Sequence, residues 1–229
     1  MDDLTGKTVE FKNVFYSYPG GEFALAVNGL VLKTDAIAFI TGDNGSGKTT
    51  LAKLMTGIIK PLRGEITLMG ANIKSLSPGE IGKRIGYLWQ NPRQQLFAQS
   101  VLEELTFPEE IKNPKMPPEE KEAGREAALN SLEYFGLAHL KDKNCFYLSH
   151  GERQRLAIAA VIAAGAKYLV LDEPTKGLDA GCRNTLAHML KTLRYENNTG
   201  MCVISHDEEF TGELQERVIR LRNGEVADG

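Results

Sequence analysis

Residues 41–51, TGDNGSGKTTL, constrain most strongly what this chain of 229 residues can fold into. Within them, residues 42–49 fit the pattern G-x-x-x-x-G-K-[ST], and the apolar residues 36–40 just before are typical of a buried strand. Glycines allow such a loop to turn its backbone N–H groups inward, and the helix beginning near Gly47 adds its N-terminal amides. A strand, loop and helix in this order predict a phosphate-binding loop in an α/β protein.

Two side chains of this loop carry the expected chemistry. Lys48 is expected to reach the β- and γ-phosphates of a nucleotide, and Thr49 to hold Mg²⁺ through its hydroxyl group. A glycine-rich turn with a chance lysine is the alternative, but the flanking strand and the apolar helix at residues 51–55 favour the phosphate loop. The remaining residues expected to contact the nucleotide are Asp43, Asn44, Gly45, Ser46, Gly47 and Thr50.

Charge and cysteine content narrow the class of protein. The net charge of -3 lacks the basic excess of a general nucleic-acid binder, so no nucleic-acid partner is expected. Cys145, Cys182 and Cys202 are widely spaced, which suits a reducing compartment and small core residues rather than structural zinc. Residues 1–3 do not resemble a secretion signal, and no apolar run has the length of a membrane span. We expect a cytoplasmic protein that docks to another protein if it serves a membrane.

The remaining pattern predicts alternating strands and helices. Strand-like alternation covers residues 8–32, with a turn at Pro19-Gly20-Gly21. Because strands then alternate with helices, we expect a largely parallel sheet. The predicted later strands are residues 64–70, 85–89, 167–172 and 201–205; the helices are residues 78–84 and 180–194; and a hairpin joins residues 217–221 to 225–226 through Asn223-Gly224.

Residues 91–165 differ in composition and pattern from the segments on either side. Four prolines lie among charged residues from Pro108 to Pro118, and residues 119–135 have helical spacing, with Ala127, Ala128, Leu132 and Phe135 available for one face. We predict one domain over residues 1–229, in which residues 1–90 and 166–229 form an α/β core and residues 91–165 form an inserted helical subdomain.

Two acidic residues follow a predicted buried strand. Ligands of parallel sheets bind outside the carboxyl ends of the strands, so Asp172 is expected to hold Mg²⁺ through water and Glu173 to polarise an attacking water. The alternative is that one of them only caps a turn or a helix. Pro174 stops the strand at this point, which favours both carboxylates lying at the edge of the sheet.

A second anion site is predicted at residues 148–152, LSHGE, which we call the signature segment. Ser149 and Glu152 form an S-x-x-E capping box ahead of an apolar helix. The exposed helix N-terminus also offers the Ser149 hydroxyl and the Gly151 amide to an anion. One phosphate loop and a separate anion site in the same chain suggest that two chains assemble.

These segments together resemble the ATPases of ABC transporters. Residues 42–49 match the Walker A motif of that family, residues 148–152 resemble its LSGGQ signature, and residues 169–173 match Walker B with its catalytic glutamate, Glu173. The resemblance spans essentially the whole chain. It implies a RecA-like P-loop NTPase core with an N-terminal antiparallel β region and an inserted helical subdomain. It also implies ATP and Mg²⁺ as cofactors, with ATP sandwiched between the phosphate loop of one chain and Ser149, Gly151 and Glu152 of another.

Further roles rest on the resemblance alone. It implies that Gln90 touches both Mg²⁺ and a transmembrane partner, that His206 is the switch histidine beside the γ-phosphate, and that Asp179 is the D-loop aspartate. Tyr18 resembles the aromatic residue that stacks on adenine, although Tyr16 on the same strand face is an alternative. The alternative role of His206 is a capping or surface residue.

Two positions depart from the family pattern. His150 replaces the first glycine of the signature, and Glu152 replaces its glutamine, as in variants of active members. A bulky ring at His150 is expected to weaken one composite site, which would be natural if the partner is a different ATPase. Lys176 stands where a small residue is frequent, and the sequence offers no reason for it.

Residues 90–98, QNPRQQLFA, resemble the corresponding loop of energy-coupling factor ATPases. That resemblance implies an importer of a vitamin or metal ion on the cytoplasmic face of the membrane. Its expected partners are a second ATPase, identical or different, a transmembrane coupling protein docking near Gln90, and, indirectly, a substrate-binding membrane subunit. The alternatives are the ATPase of an exporter and a soluble, non-transport ABC protein. A simple P-loop kinase would leave the signature segment unexplained.

Overall fold

The computed structural model describes residues 6–21, 23–214 and 217–228, and within these ranges eleven strands form one mixed sheet. Residues 1–3 lie outside the described residues. The strands are β1 (Thr8–Ser17), β2 (Ala24–Val27), β3 (Leu30–Lys33), β4 (Ile37–Thr41), β5 (Arg63–Leu68), β6 (Ala71–Asn72), β7 (Ile85–Leu88), β8 (Tyr168–Asp172), β9 (Gly200–Ile204), β10 (Arg217–Arg222) and β11 (Glu225–Asp228). The helices are α1 (Lys48–Met55), α2 (Pro78–Gly82), α3 (Val101–Lys112), α4 (Pro118–Tyr134), α5 (His150–Ala163), α6 (Ala180–Tyr195) and α7 (Glu208–Leu214).

The sheet has an antiparallel half and a parallel half. Its order is β6-β5-β1-β2-β11-β10-β4-β9-β8-β7, with β3 paired to β1. Strands β10, β4, β9, β8 and β7 run parallel, whereas β1 pairs antiparallel with β2, β3 and β5. The hairpin β10–β11 joins the halves, because β11 pairs with β2. The predicted α/β class is confirmed, and the expectation of a largely parallel sheet is correct for one half of it.

The register of the parallel half brings three strand ends to one edge. Ile204 of β9 lies opposite Ile40 of β4 and opposite Asp172 of β8. All three strands are almost entirely buried, with β8 and β9 buried at every position. Such strands are apolar on both faces because helices cover both. The polar residues that follow them therefore meet at the carboxyl edge of the sheet.

The segment predicted to be helical contains α3, α4 and α5. Ser100 and Glu103 form a capping box at the start of α3, which continues through Pro108 even though proline removes one backbone hydrogen bond. In α4 the buried residues are Ala128 and Leu132, four positions apart, and Phe135 at the C-cap is also buried. Ala127 is exposed, contrary to the predicted face, because it lies one residue, about 100°, away from this stripe.

Two apolar clusters lie on either side of the sheet. One joins buried residues of α3–α6 to residues such as Leu169 and Leu171 of the sheet. The other packs α1 against strands of both halves. The helical segment thus shares its core with the sheet, and the boundaries at residues 91 and 165 stay a prediction.

Candidate functional site

The phosphate loop, residues 42–49, connects β4 to α1 and depends on glycine at two tight positions. Gly42 has φ of 146°, and a Cβ atom there would lie 2.1 Å from the Leu221 carbonyl oxygen. Gly47, the N-cap of α1, has φ of 105°, and a Cβ there would lie 2.7 Å from the Phe23 ring. Only glycine combines this backbone conformation with such close neighbours. The loop therefore brings its backbone against β10 and leaves the N-terminus of α1 facing the cleft.

Lys48 is folded over its own loop. Its ammonium group donates hydrogen bonds to the carbonyl oxygens of Gly42, at 2.8 Å, and Asp43, at 2.9 Å. Burial lowers the pKa of Lys48 below its ordinary value, while the charges of Glu173, Asp172 and Asp43 act in the opposite direction. A buried cation with nearby carboxylates marks the anion-binding end of the cleft.

Asp172 joins the phosphate loop to the neighbouring strand. Its Oδ2 atom accepts a hydrogen bond from the Thr49 hydroxyl at 3.0 Å and another from the Tyr87 hydroxyl at 2.8 Å. The residue is only 2% exposed. The sequence predicted that Thr49 and Asp172 would serve the same metal, and they are in direct contact. A hydroxyl and a carboxylate are the hard oxygen ligands that Mg²⁺ prefers.

Glu173 has an unusual backbone. Its φ of 50° lies in the left-handed region, which costs a non-glycine residue on the order of 1 kcal/mol. Its backbone N–H donates to the Ile204 carbonyl, and its Oε1 lies 3.3 Å from Nε2 of His206. Backbone strain of this kind concentrates at functional sites. The turn places the carboxylate next to the histidine that follows β9.

A second contact anchors the loop that carries His206. Asp207 accepts a hydrogen bond at Oδ2 from the Arg183 guanidinium at 3.1 Å, and its Oδ1 accepts the Phe210 backbone N–H. The Asp207 N–H in turn donates to the hydroxyl of buried Ser205. Asp207, the residue after His206, is therefore bonded to both α6 and α7, which fixes the backbone beside the histidine.

One open cleft of about 410 Å³ is lined by Lys48, Thr49, Asp172, Glu173 and His206. Gln90 is exposed at its edge, and Tyr18 is 39% exposed at its rim, where its hydroxyl lies 3.5 Å from that of Thr50. Tyr16 packs edge-to-face against Tyr18 but does not line the cleft, so the geometry favours Tyr18 over Tyr16. The lining residues are Tyr18, Phe23, Asn44, Gly45, Gly47, Lys48, Thr49, Thr50, Gln90, Asp172, Glu173 and His206.

Two predicted loop residues do not line this cleft. Asp43 borders a different cavity, behind the loop, and contributes to the arrangement through its carbonyl bond to Lys48. Ser46 is buried, and its hydroxyl has no hydrogen-bond partner among the described residues, while its carbonyl accepts the Gly224 N–H. Both residues therefore contribute to the loop through their backbone carbonyl groups.

The signature segment, residues 148–152, lies apart from the cleft. Ser149 and Glu152 form the predicted capping box at the start of α5. Partial burial would raise the pKa of Glu152, but hydrogen bonds from Ser149 outweigh it and lower that pKa. Gly151 is buried against α6, where a Cβ would lie 3.1 Å from the Cys182 sulfur. None of these residues lines the cleft of its own chain, so the N-terminus of α5 is free to meet another molecule.

Asp179 also lies outside the cleft. Its carboxylate caps α6 by accepting the Cys182 backbone N–H at 2.8 Å, and this hydrogen bond lowers the pKa of Asp179. In this chain the residue thus has a structural contact, and its predicted role toward a nucleotide stays a prediction.

His150 and Lys176, the two departures from the family pattern, contact each other. Nε2 of His150 lies 2.9 Å from the Lys176 carbonyl oxygen, so this nitrogen carries the proton. The ring also borders Gly177, where a Cβ would lie 3.7 Å from Nε2. The His150 side chain therefore binds the turn after Glu173 in its own chain. The contact uses the backbone of Lys176, and the structure gives no reason for its lysine side chain.

The sequence did not predict Tyr87 or Phe23 as site residues. Tyr87 lies in β7, and its contact with Asp172 depends on the pairing of β7 with β8, which no local pattern reveals. Phe23 follows the glycine turn after Tyr18, and its aromatic ring was the only signal available.

No helix in the described parts of the chain has the length and apolar character needed to cross a membrane.

Comparison with known proteins shows one consistent family. The family model described as "ABC transporter" matches residues 28–176. A protein of Pyrococcus furiosus, provisionally named an ABC transporter ATP-binding protein, is 38% identical over 218 residues, which cover 95% of this chain and 81% of that protein.

Two solved structures share the fold over nearly the whole chain. CbiO1 of Clostridium perfringens, part of the ABC transporter complex CbiONQ, has a TM-score of 0.84 at 31% identity and covers 97% of this chain and 88% of its own. The ATP-binding cassette MJ0796, a dimer in a post-hydrolysis state bound to ADP and Pi, has a TM-score of 0.80 at 29% identity and covers 96% of this chain and 97% of its own.

Proposed function

Because this chain belongs to the ABC transporter family of ATP-binding proteins, we propose that it is the ATP-hydrolysing subunit of an energy-coupling factor importer for a vitamin or metal ion. One observation carries the ATPase assignment. Lys48, Thr49, Asp172, Glu173 and His206 come from three different strand ends and line a single cleft. A structural role alone would not require this combination of cation, hydroxyl and carboxylates.

ATP binding uses the loop and the rim of the cleft. The N-terminus of α1 and the inward amides attract the phosphates, and Lys48 exchanges its two carbonyl partners for phosphate oxygens. Tyr18 stacks on the adenine from the rim.

The carboxylates and His206 serve the hydrolysis step. Thr49 and Asp172, with Gln90, would hold Mg²⁺, which neutralises charge on the transferred phosphate when it is bound. Glu173 orients the attacking water and accepts its proton. His206, which contacts Glu173 Oε1 at 3.3 Å, donates a hydrogen bond to the γ-phosphate.

A second ATPase chain completes the site. The residues at the N-terminus of α5, Ser149, Gly151 and Glu152, do not line the cleft of their own chain. In the dimer, this helix end and Asp179 meet the ATP of the partner. The dimeric structure of MJ0796, which holds ADP and Pi, supports the pairing of two cassettes around the nucleotide.

The membrane partner docks beside Gln90. In the loop that follows Gln90, Phe97 is exposed and packs edge-to-face against exposed Phe107 of α3, with ring centroids 5.2 Å apart, while Trp89, next to Gln90 in the chain, is 40% exposed. Exposed aromatic clusters of this kind favour a protein partner. The transmembrane coupling protein binds this surface on the cytoplasmic face and connects the ATPase to the substrate-binding subunit. CbiO1, part of the CbiONQ complex, supports the energy-coupling factor type.

Two variants test the proposed site. Glu173→Gln should keep ATP binding and lose hydrolysis at least a hundredfold, because it removes the base but keeps the shape of the cleft. Lys48→Ala should lose ATP binding as well. Both variants are compared with the wild type by phosphate release and by nucleotide titration, using the complex purified from membranes.

Unchanged turnover in Glu173→Gln would refute this residue as the base. Copurification of the chain with DNA or ribosomes instead of membrane proteins would contradict the transport role.

A further inference from the structure

Tyr87 makes a contact that the proposed mechanism does not use. Its hydroxyl donates a hydrogen bond to Asp172 Oδ2 at 2.8 Å, the same oxygen that accepts the Thr49 hydroxyl at 3.0 Å. The two residues are 85 positions apart and lie on adjacent parallel strands, where Tyr87 pairs with Val170. Asp172 is thus held from both sides, by the phosphate loop and by β7.

The tyrosine hydroxyl is the donor in this contact. A carboxylate oxygen accepts hydrogen bonds and has no proton to give, so the O–H of Tyr87 points to Asp172 Oδ2. A hydrogen bond to a charged carboxylate is stronger than one between neutral groups.

The backbone of Tyr87 is fixed from the side of Gln90. Gln95 donates through Nε2 to the Tyr87 carbonyl at 2.9 Å, and its Oε1 accepts the Trp89 N–H at 3.2 Å. The Gln95 side chain therefore ties the loop that contains Gln90 to the end of β7. The tyrosine also lines a second cavity of about 410 Å³ beside Ile58, Ile73 and Ile81. Its position is therefore defined by packing, by Gln95 and by Asp172.

We propose that Tyr87 is a positioning residue, whose hydroxyl orients the Asp172 carboxylate so that Asp172 and Thr49 together receive the metal that accompanies the nucleotide. The inference rests on the proposed function of the cleft as a Mg²⁺–ATP site. Tyr87 does not touch the reacting atoms and acts only through Asp172. Hydrogen bonds of this kind to metal-ligating carboxylates typically change metal affinity 10–100-fold.

Replacement by phenylalanine removes the hydroxyl and keeps the ring. Among the described residues, the Asp172 carboxylate would then keep the side-chain hydrogen bond from Thr49 and lose the one from Tyr87, so it could turn more freely about its side chain. The affinity for the metal should then fall, while contacts between the phosphates and the loop remain. We expect Tyr87→Phe to weaken binding of a fluorescent ATP analogue about tenfold in excess Mg²⁺ and to leave binding in excess EDTA unchanged.

Tyr168→Phe is the matched control. Tyr168 begins the neighbouring strand β8 and is fully buried, and its hydroxyl has no hydrogen-bond partner in the part of the chain that the structure describes. The same chemical change there should leave binding unaltered both with and without Mg²⁺. Asp172→Asn serves as a reference and should abolish the difference between the two conditions.

The test uses the full chain, with thermal melting to confirm that each variant is folded. Three results would overturn the inference: equal affinities of Tyr87→Phe and wild type in Mg²⁺; an equal fall in Mg²⁺ and in EDTA, which a merely structural role would produce; or a wild-type affinity that does not depend on Mg²⁺. Failure of the proposed function is distinguishable, because the wild type would then bind no ATP under either condition.

Discussion

The backbone at Glu173 shows how single residues define this site. A left-handed conformation in a non-glycine residue persists only when the surroundings over-determine it. Here the bond of the Glu173 N–H to Ile204 and the bond of the Lys176 N–H to the Glu173 carbonyl supply that constraint. The turn carries the carboxylate away from the strand and toward His206.

His150 permits a test at the same scale. Its ring binds the Lys176 carbonyl of its own chain, a single partly exposed hydrogen bond worth about 0.5–1.5 kcal/mol. We expect His150→Gly to lower the melting temperature only slightly and to leave ATP turnover of the assembled complex unchanged or raised, because glycine opens the end of α5. Turnover is measured by phosphate release.

His150→Gln is the control for this substitution, since it keeps an N–H donor near the position of Nε2. A large loss of turnover in His150→Gly that His150→Gln restores would show that the contact with Lys176 is required. It would also contradict the view that His150 is a degenerate substitution in the signature segment.

Short motifs predicted some of the residues that line the cleft, but not Phe23. Lys48 and Thr49 belong to a motif with a local mechanism, and Asp172 ends a strand that its composition makes recognisable. Tyr87 escaped prediction because its partner is set by strand pairing. Asp43 and Ser46 lie in the motif but do not line the cleft; Ser46 is buried, and its carbonyl accepts the Gly224 N–H.

At the scale of elements, α3 holds the loop that follows Gln90. Glu104 is 2% exposed, and its Oε2 accepts the backbone N–H groups of Phe97, at 3.0 Å, and Ala98, at 2.8 Å. Burial raises the pKa of Glu104, although these two hydrogen bonds oppose the shift. In this irregular loop the two N–H groups have no backbone carbonyl as a ladder partner among the described residues, and the Glu104 carboxyl group accepts their hydrogen bonds instead.

Substitutions of Glu104 separate its hydrogen bonds from its charge. Glu104→Ala removes the acceptor of one buried N–H group, of Ala98, and one partly buried N–H group, of Phe97, and should cost about 2–4 kcal/mol in urea unfolding. Glu104→Gln keeps an acceptor oxygen and should cost much less. A cost for alanine no larger than that for glutamine would contradict the assigned role.

The raised pKa also predicts the pH dependence of this comparison. A raised pKa in the folded state means that folding favours the protonated carboxyl group. The contribution of this proton to the free energy of unfolding is fully present below the ordinary carboxyl pKa, about 4. It is lost as the pH rises through the raised pKa of Glu104. The wild type should therefore lose stability relative to Glu104→Gln as the pH increases.

Elements with local signals were predicted well, and those that depend on packing were not. The capping box placed the start of α5, and Asn223-Gly224 placed the hairpin, where both residues have positive φ. Helix α3 had no individual prediction within the helical subdomain, and it continues through Pro108.

At the scale of the molecule, the parallel half of the sheet brings the residues of the proposed ATP site into one cleft. The carboxyl ends of β4, β8 and β9 supply the phosphate loop, the carboxylates and His206. The signature segment lies elsewhere on the same chain, so the account requires that a second chain completes each site. Chain order alone predicted the α/β class, but the joining of the two halves through β11 and β2 was not predictable from local patterns.

The most direct test of this account is the mass of the Glu173→Gln variant in solution with and without Mg²⁺–ATP. Slowed hydrolysis should trap the closed state, so sedimentation should show a shift from one chain of 25.2 kDa to a pair of cassettes, reversed by adding Ser149→Arg to the variant. The measurement is made on the variant alone and on the variant mixed with the ATPase with which the chain copurifies. If ATP is bound in both cases and the mass still corresponds to one chain, the shared site is contradicted.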